Sequence, residues 1–392
     1  FEQAGYIHIF DLKTEKISKV SIQINDDFSS SRNQWKDASK NIGSLAVSPD
    51  GKRIALGARG DVWTLPAKTG ITKNITQTSG VHERNVAWSP DGNYIAYISD
   101  ASGEDEIYIH KQDGSEKAVQ LTKNADTYKY QIIWSPDSKK IMWSDKMNRL
   151  QYVDIASKEI IVVDQSKDGE FNDYTWSPDS KWIAYSKPDK TSKTKIYFYE
   201  LQSKTKTAVT DGWYDCGNPA FSNNGKYLFF TSNRDFNPIY SWTEWNHAYT
   251  DMTKVYFITL SKDTKSPFEP VNDEVAVKKE EKAVDAKNKK DKKAEEPKAD
   301  ILKIDLDGIA GRIAVLPVEA ASYWNISAVD DNVYYQKYSN TDKKVLLMYY
   351  NLKDQKESSL GDINGYEISA DNKKMLVSIN GKMSVIDLPK SK

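Results

Sequence analysis

The stretch Arg84-Asn85-Val86-Ala87-Trp88-Ser89-Pro90-Asp91-Gly92-Asn93-Tyr94-Ile95-Ala96-Tyr97-Ile98 decides the fold. An apolar run ends at Trp88. The proline then fixes φ, the aspartate caps a turn, and the glycine supplies a left-handed position. A second apolar run returns from Tyr94, which predicts a tight hairpin. Glu106-Ile107-Tyr108-Ile109 and Ala118-Val119-Gln120-Leu121 read as a third and a fourth strand.

The same signal recurs as Val47-Ser48-Pro49-Asp50-Gly51-Lys52, Trp134-Ser135-Pro136-Asp137-Ser138-Lys139 and Trp176-Ser177-Pro178-Asp179-Ser180-Lys181. Looser copies are Phe221-Ser222-Asn223-Asn224-Gly225-Lys226 and Ile368-Ser369-Ala370-Asp371-Asn372-Lys373, and the weakest is Ile326-Ser327 followed by Asp330-Asp331-Asn332. The marker serines 48, 89, 135, 177 and 222 are 41 to 46 residues apart, 327 and 369 are 42 apart, and the step from 222 to 327 is 105. Four short strands repeating every 40–45 residues predict an all-β, seven-bladed β-propeller with TolB- or WD40-like blades. The Trp or Phe before each serine is expected to fill the wedge between blades. The repeats assign the whole span 1–392 to one propeller.

The long step is expected to hold an insertion in the fifth blade, residues 262–300. Its core from Lys278 is nearly all Lys, Glu, Asp and Ala and has nothing to bury, which predicts a solvated loop or fraying helix. Arg312-Ile313-Ala314-Val315-Leu316 then supplies that blade's outer strand. The last repeat, Ile363 to Leu388, shows three strands. Of the N-terminal pair, Tyr6-Ile7-His8-Ile9-Phe10 and Ile17-Ser18-Lys19-Val20-Ser21-Ile22, one either lends the missing strand or both finish a preceding blade.

Composition narrows the function classes. Fifty-five basic against fifty-six acidic residues leave a net charge of −1, with no field to draw the 392-residue chain to nucleic acid. No apolar run is long enough to span a bilayer as a helix. The lone Cys216 excludes an internal disulfide framework or a multi-cysteine zinc site. The chain begins at Phe1, which reads as a mature form or fragment whose targeting signal is gone.

No Gly-x-Ser-x-Gly elbow, phosphate-binding glycine loop or metal-spaced histidine pair occurs, and His8, His82, His110 and His247 fall in different repeats. No catalytic residue, metal or cofactor is therefore assigned. The repeated aspartates read as turn caps and Trp88, Trp134 and Trp176 as blade packing. The loops before each inner strand gather at one rim and carry interleaved aromatics and charges: His82-Glu83-Arg84, Tyr128-Lys129-Tyr130, Asp173-Tyr174, Trp213-Tyr214-Asp215, Tyr323-Trp324 and Tyr366. Such residues suit extended peptides. The substrate-channel candidates are Arg59, Arg84, Tyr128, Tyr130, Tyr174, Trp213 and Tyr214. Trp213–Tyr214 and Trp242–Tyr249 together are expected to form an exposed aromatic flap.

Longer tracts carry a resemblance. Leu45 to Arg53, Ala58-Arg59-Gly60-Asp61-Val62-Trp63, Gly80 to Gly92, Ser232-Asn233-Arg234-Asp235-Phe236-Asn237-Pro238 and Ile304 to Ile309 resemble the second propeller of tricorn protease and its bacterial homologues. The resemblance implies a non-catalytic seven-bladed propeller of a self-compartmentalising serine peptidase. In that family the ring gates peptides or unfolded polypeptide toward catalytic and PDZ domains elsewhere in the parent chain, within a homo-oligomer. It implies a cytosolic setting for founding members and a periplasmic one for exported bacterial forms. The Lys/Glu insertion has no counterpart in that pattern. The alternatives are a stand-alone TolB-like adaptor for protein partners, and a lyase- or lactonase-like propeller with a metal cluster at its channel.

Overall fold

The computed structural model describes residues 1–3, 5–29, 36–236, 238–240, 247–270 and 302–390. These fall into two compact units, Phe1–Lys40 and Asn41–Lys392. In the first, Glu2–Gln3, Tyr6–Phe10 and Ile17–Lys19 form a three-stranded antiparallel sheet. The N-terminal strands thus pair with one another. No described helix is long and apolar enough to cross a membrane. Trp242, Trp245 and most of the charged insertion lie outside the described residues.

Seven antiparallel meanders make up the second unit. Sheet 1 is Ile42–Val47, Arg53–Ala58, Asp61–Pro66 and Lys73–Asn74. Sheet 2 is Glu83–Trp88, Tyr94–Ser99, Glu106–Lys111 and Val119–Gln120; sheet 3 is Lys129–Trp134, Lys140–Asp145, Arg149–Asp154 and Ile160–Gln165. Sheet 4 is Tyr174–Trp176, Trp182–Pro188, Thr194–Glu200 and Thr205–Ala208; sheet 5 is Cys216–Phe221, Tyr227–Ser232, Lys254–Thr259 and Ile313–Val315. Sheet 6 is Ser322–Val329, Asn332–Tyr338, Val345–Asn351 and Lys356–Gly361; sheet 7 has only Gly365–Ile368, Lys374–Ile379 and Lys382–Asp387. In sheet 5, Ile313 pairs with Ile258 after the long detour, and the extra strands Pro238–Tyr240 and His247–Tyr249 form a separate hairpin in the same excursion.

The repeated tract is a hydrogen-bonded device. In six sheets the serine hydroxyl donates to the turn's Asp or Asn, at 2.5 to 2.8 Å, from Ser48, Ser89, Ser135, Ser177, Ser222 and Ser369. The same oxygen accepts the N–H five residues on, at 2.9 to 3.0 Å. The turn carboxylate or amide oxygen accepts a further N–H at 3.0 to 3.1 Å. Burial opposes ionisation of Asp91, but the bonds from Ser89 and Asn93 outweigh it and hold the carboxyl below its usual range. Sheet 6 differs: Ser327 lies inside the inner strand, paired with Tyr334, and the turn is the two residues Asp330-Asp331. A shorter turn has no room for the serine anchor.

Neighbouring sheets are tied in sequence order. The Trp134 indole donates to Ala87 O at 3.1 Å and that of Trp176 to Ile133 O at 3.3 Å, as wedge positions require. Trp88 instead donates to Gly92 O of its own turn. Asn218 N–H meets Asp173 across sheets 4 and 5, Ser222 bridges Ala328 across sheets 5 and 6, and Tyr366 donates to Asn325 O across sheets 6 and 7. Asp371 N–H donates to Pro49 O at 3.1 Å and so joins sheet 7 to sheet 1. The second unit is therefore a closed ring, a β-propeller.

Its interfaces are unequal. Apolar clusters of buried side chains span sheets 1 and 2, 2 and 3, 3 and 4, 4 and 5, 5 and 6, and 6 and 7. Among the described residues no such cluster spans sheets 7 and 1. That seam holds a cavity of about 210 Å³ lined by Leu45, Tyr366, Leu376, Val377 and Met383 among others.

Candidate functional site

Antiparallel meanders sort the connections. The serine turns lie on one face of the ring. The loops leading into inner strands, with the turns between second and third strands, lie on the other. Arg59 sits in a turn between second and third strands, and Tyr128, Trp213 and Tyr214 in loops leading to inner strands, whereas Arg84, Tyr130 and Tyr174 belong to inner strands themselves.

Three of them meet. The Arg84 guanidinium stacks on the Tyr128 ring, 3.9 Å from its centroid. It also pairs with Asp105 and donates to Lys129 O at 2.9 Å. Tyr128 packs edge-on against Tyr130 at 5.4 Å, and Tyr130 donates its hydroxyl to Glu170 at 2.8 Å. That bond holds the Tyr130 hydroxyl above its ordinary pKa. Beneath them Lys129 is buried, 3.6 Å from Glu106 and donating to Asp105 O at 2.7 Å. Burial draws the Lys129 ammonium below its usual range, despite the attraction of Glu106 and Asp105. The guanidinium is thus committed to its neighbours, whereas Tyr128 keeps 47% of its surface open.

Trp213 and Tyr214 form a second patch. Trp213 is 80% exposed, and Arg234 stands 5.5 Å over the Tyr214 ring. Phe236 is exposed too and tilts against Tyr249 at 5.7 Å, on the hairpin excursion of sheet 5.

Arg59 and Tyr174 stand apart. Arg59 is exposed with φ 57 in a two-residue turn with Gly60, φ 86, between Ala58 and Asp61. A Cβ on Gly60 would come within 2.9 Å of Val81 O. Tyr174 is buried between sheets 3 and 4, where it donates to Gln131 O at 2.5 Å and accepts Ser144 N–H at 3.3 Å. Burial raises its hydroxyl pKa. Tyr323 and Tyr366 are likewise buried.

The bore completes the site. A cavity of about 630 Å³ is lined by inner strands of six sheets, through Leu45, Val86, Ile133, Thr175, Asn325 and Glu367 among others. A second, of about 300 Å³, adjoins it at Gly43, Asn85 and Gln131. Inner strands carry bulges that the sequence reading missed, after Arg84, Gly217 and Trp324. Each opens with an asparagine at positive φ: Asn85 at 54, Asn218 at 51 and Asn325 at 50. Asparagine tolerates that conformation better than most residues. The signal was present as Asn-Val-Ala, Asn-Pro-Ala and Asn-Ile-Ser just ahead of the turns.

The six motif serines give their protons to turn Asp or Asn oxygens, and His110 Nδ1 lies 3.0 Å from Lys111 O. Among the described residues no group of three or more His, Cys, Asp or Glu could hold a metal ion.

A closed ring of small antiparallel sheets, with a cavity walled by their inner strands, defines a β-propeller. Residues 42–389 match the tricorn protease second beta propeller domain, and the chain belongs to that family. It is similar to tricorn protease homolog 1 of Streptomyces coelicolor, 26% identical over 369 residues that cover 89% of this chain and 34% of the relative. The tricorn protease homolog of Saccharolobus solfataricus is 24% identical, with 99% of this chain and 34% of the relative covered. The crystal structure of the tricorn protease shares the fold with a TM-score of 0.74 at 19% identity, over 98% of this chain and 36% of that one. The chain thus spans about a third of the length of these relatives.

Proposed function

We propose that this chain is the non-catalytic, substrate-conducting ring of a tricorn-like serine peptidase. Unfolded polypeptide meets the aromatic rim, threads the bore, and reaches catalytic and PDZ domains that belong to other parts of the parent protein. The observation that carries this reading is the bore itself: about 630 Å³ walled by inner strands and continuous in composition from apolar Leu45 to polar Asn325. Exposed Tyr128 and Trp213 supply contact area at low entropic cost.

The test is binding of a fluorescein-labelled, unstructured 20-residue peptide to the whole chain, read by fluorescence polarisation. The proposal expects saturable binding, weakened about 3- to 10-fold by Trp213→Ala or Tyr128→Ala, with no cleavage of the peptide. Absence of binding, or cleavage lost on mutating a residue of this chain, contradicts it. The alternative, a self-standing TolB-like adaptor, expects capture of folded partners and indifference to the unstructured peptide.

A further inference from the structure

The geometry points to a charge filter in the bore, in which Glu367 makes the channel favour basic or neutral stretches of polypeptide over acidic ones. This rests on the reading of the ring as a conduit and adds a selection rule to it. Both bore cavities are walled by apolar side chains and neutral polar ones, including Asn85, Gln131, Thr175 and Asn325. Among the described residues that line them, Glu367 is the one acidic side chain, and no Lys, Arg or His is present.

Its placement suits the role. Glu367 Oε2 accepts Val47 N–H at 3.1 Å. This fixes the carboxyl against the wall, and the half-buried Glu367 lines both the bore cavity and the seam cavity. Along the two cavities that Glu367 lines stand Leu45 and Val47 of sheet 1, Asn325 of sheet 6, and Tyr366, Leu376 and Met383 of sheet 7. Of these only Tyr366 titrates, and its hydroxyl is spent on Asn325 O and Tyr334 O. A single fixed charge between low-dielectric walls focuses its field along the channel. A passing Lys or Arg finds a partner there. A passing Asp or Glu meets either like charge or an unpartnered burial.

Burial pushes the Glu367 carboxyl up to about 7. It is therefore ionised at pH 8, and a cation in the bore draws it to the ionised form at lower pH too.

The experiment uses three labelled 15-residue peptides of Gly, Ser and Ala, one neutral, one with four Lys and one with four Glu. Binding to the whole chain is measured at pH 8 and moderate salt. The Lys peptide is expected to bind about 10-fold more tightly than the Glu peptide. Glu367→Gln, whose amide oxygen still accepts Val47 N–H, is expected to bring the ratio within about twofold. Thr175→Lys, which leaves the seam untouched, is expected to narrow or invert the preference. A wild-type ratio within twofold, or a ratio preserved in both variants, overturns the filter while leaving the conduit standing. Failure of even the neutral peptide to bind overturns both.

Discussion

Glu367 Oε2 accepts the main-chain N–H of Val47 at 3.1 Å, so a carboxyl from the last sheet caps an inner-strand edge of the first. This bond sits where the ring closes, beside the Asp371–Pro49 main-chain contact and a cavity, with no spanning apolar cluster among the described residues. Closure therefore rests on a few polar contacts rather than on an exchanged strand.

That relationship makes the seam sensitive to pH. Burial pushes the folded Glu367 carboxyl up to about 7 from an ordinary value of 4.5, so folding favours its protonated form. Its contribution is full below about pH 4.5 and is lost as pH rises through 7. In urea titrations, Glu367→Gln should match the wild type near pH 4.5 and exceed it at pH 8 by about 1–3 kcal/mol. Curves that stay parallel across this range contradict the assignment.

The seam also predicts an asymmetry between two motif glycines. Gly51 has φ +68, and a Cβ there would lie 2.5 to 2.6 Å from Lys374 Cγ and Cβ, whereas Gly92 has φ +79 and no neighbour nearer than 3.8 Å. Gly92→Ala should cost about 1 kcal/mol for the left-handed backbone alone. Gly51→Ala should cost at least twice that, read as the shift in denaturation midpoint. Equal costs would mean that sheet 7 does not press on sheet 1.

The serine turns should behave as buried hydrogen-bond anchors. Ser177 is fully buried, gives its proton to Asp179 and accepts Trp182 N–H. Ser177→Ala strands that N–H and should cost about 1–3 kcal/mol. Ser327→Ala, in the sheet whose turn does not use its serine, should cost clearly less, both read as shifts in the urea midpoint.

Rim residues should separate into packing and contact roles. Tyr174→Phe removes bonds to Gln131 O and Ser144 N–H and should lower stability by about 1–2 kcal/mol with peptide affinity unchanged. Trp213→Ala, at an 80% exposed position, should leave the denaturation midpoint within about 0.5 kcal/mol and weaken peptide binding. The reverse pattern would move the contact surface elsewhere.

How far the sequence reached follows from these particulars. The Ser-Pro-Asp tracts were legible because each is a local device, closed within six residues by the serine and aspartate side chains. The weakest copy, at Ser327, still falls in the inner strand of sheet 6, but its two-residue Asp330-Asp331 turn leaves the serine inside the strand. Tyr128 and Tyr174 look alike in sequence. One precedes its inner strand and stays exposed; the other is the first residue of its strand and is driven between sheets. That difference is set by long-range packing. Asn85, Asn325 and Glu367 were passed over for the same reason: only the closed ring brings them to the cavities walled by the inner strands.

The most direct test of the conduit is where a polypeptide touches the ring. In a Cys216→Ala background, a benzophenone photoprobe is attached at Thr175→Cys on the bore wall and, separately, at Val162→Cys on the exposed outer strand of sheet 3. The account predicts crosslinking of an unstructured peptide from position 175, competed by excess unlabelled peptide, and little from position 162. Crosslinking from 162 alone, or from neither position at saturating peptide, would contradict it.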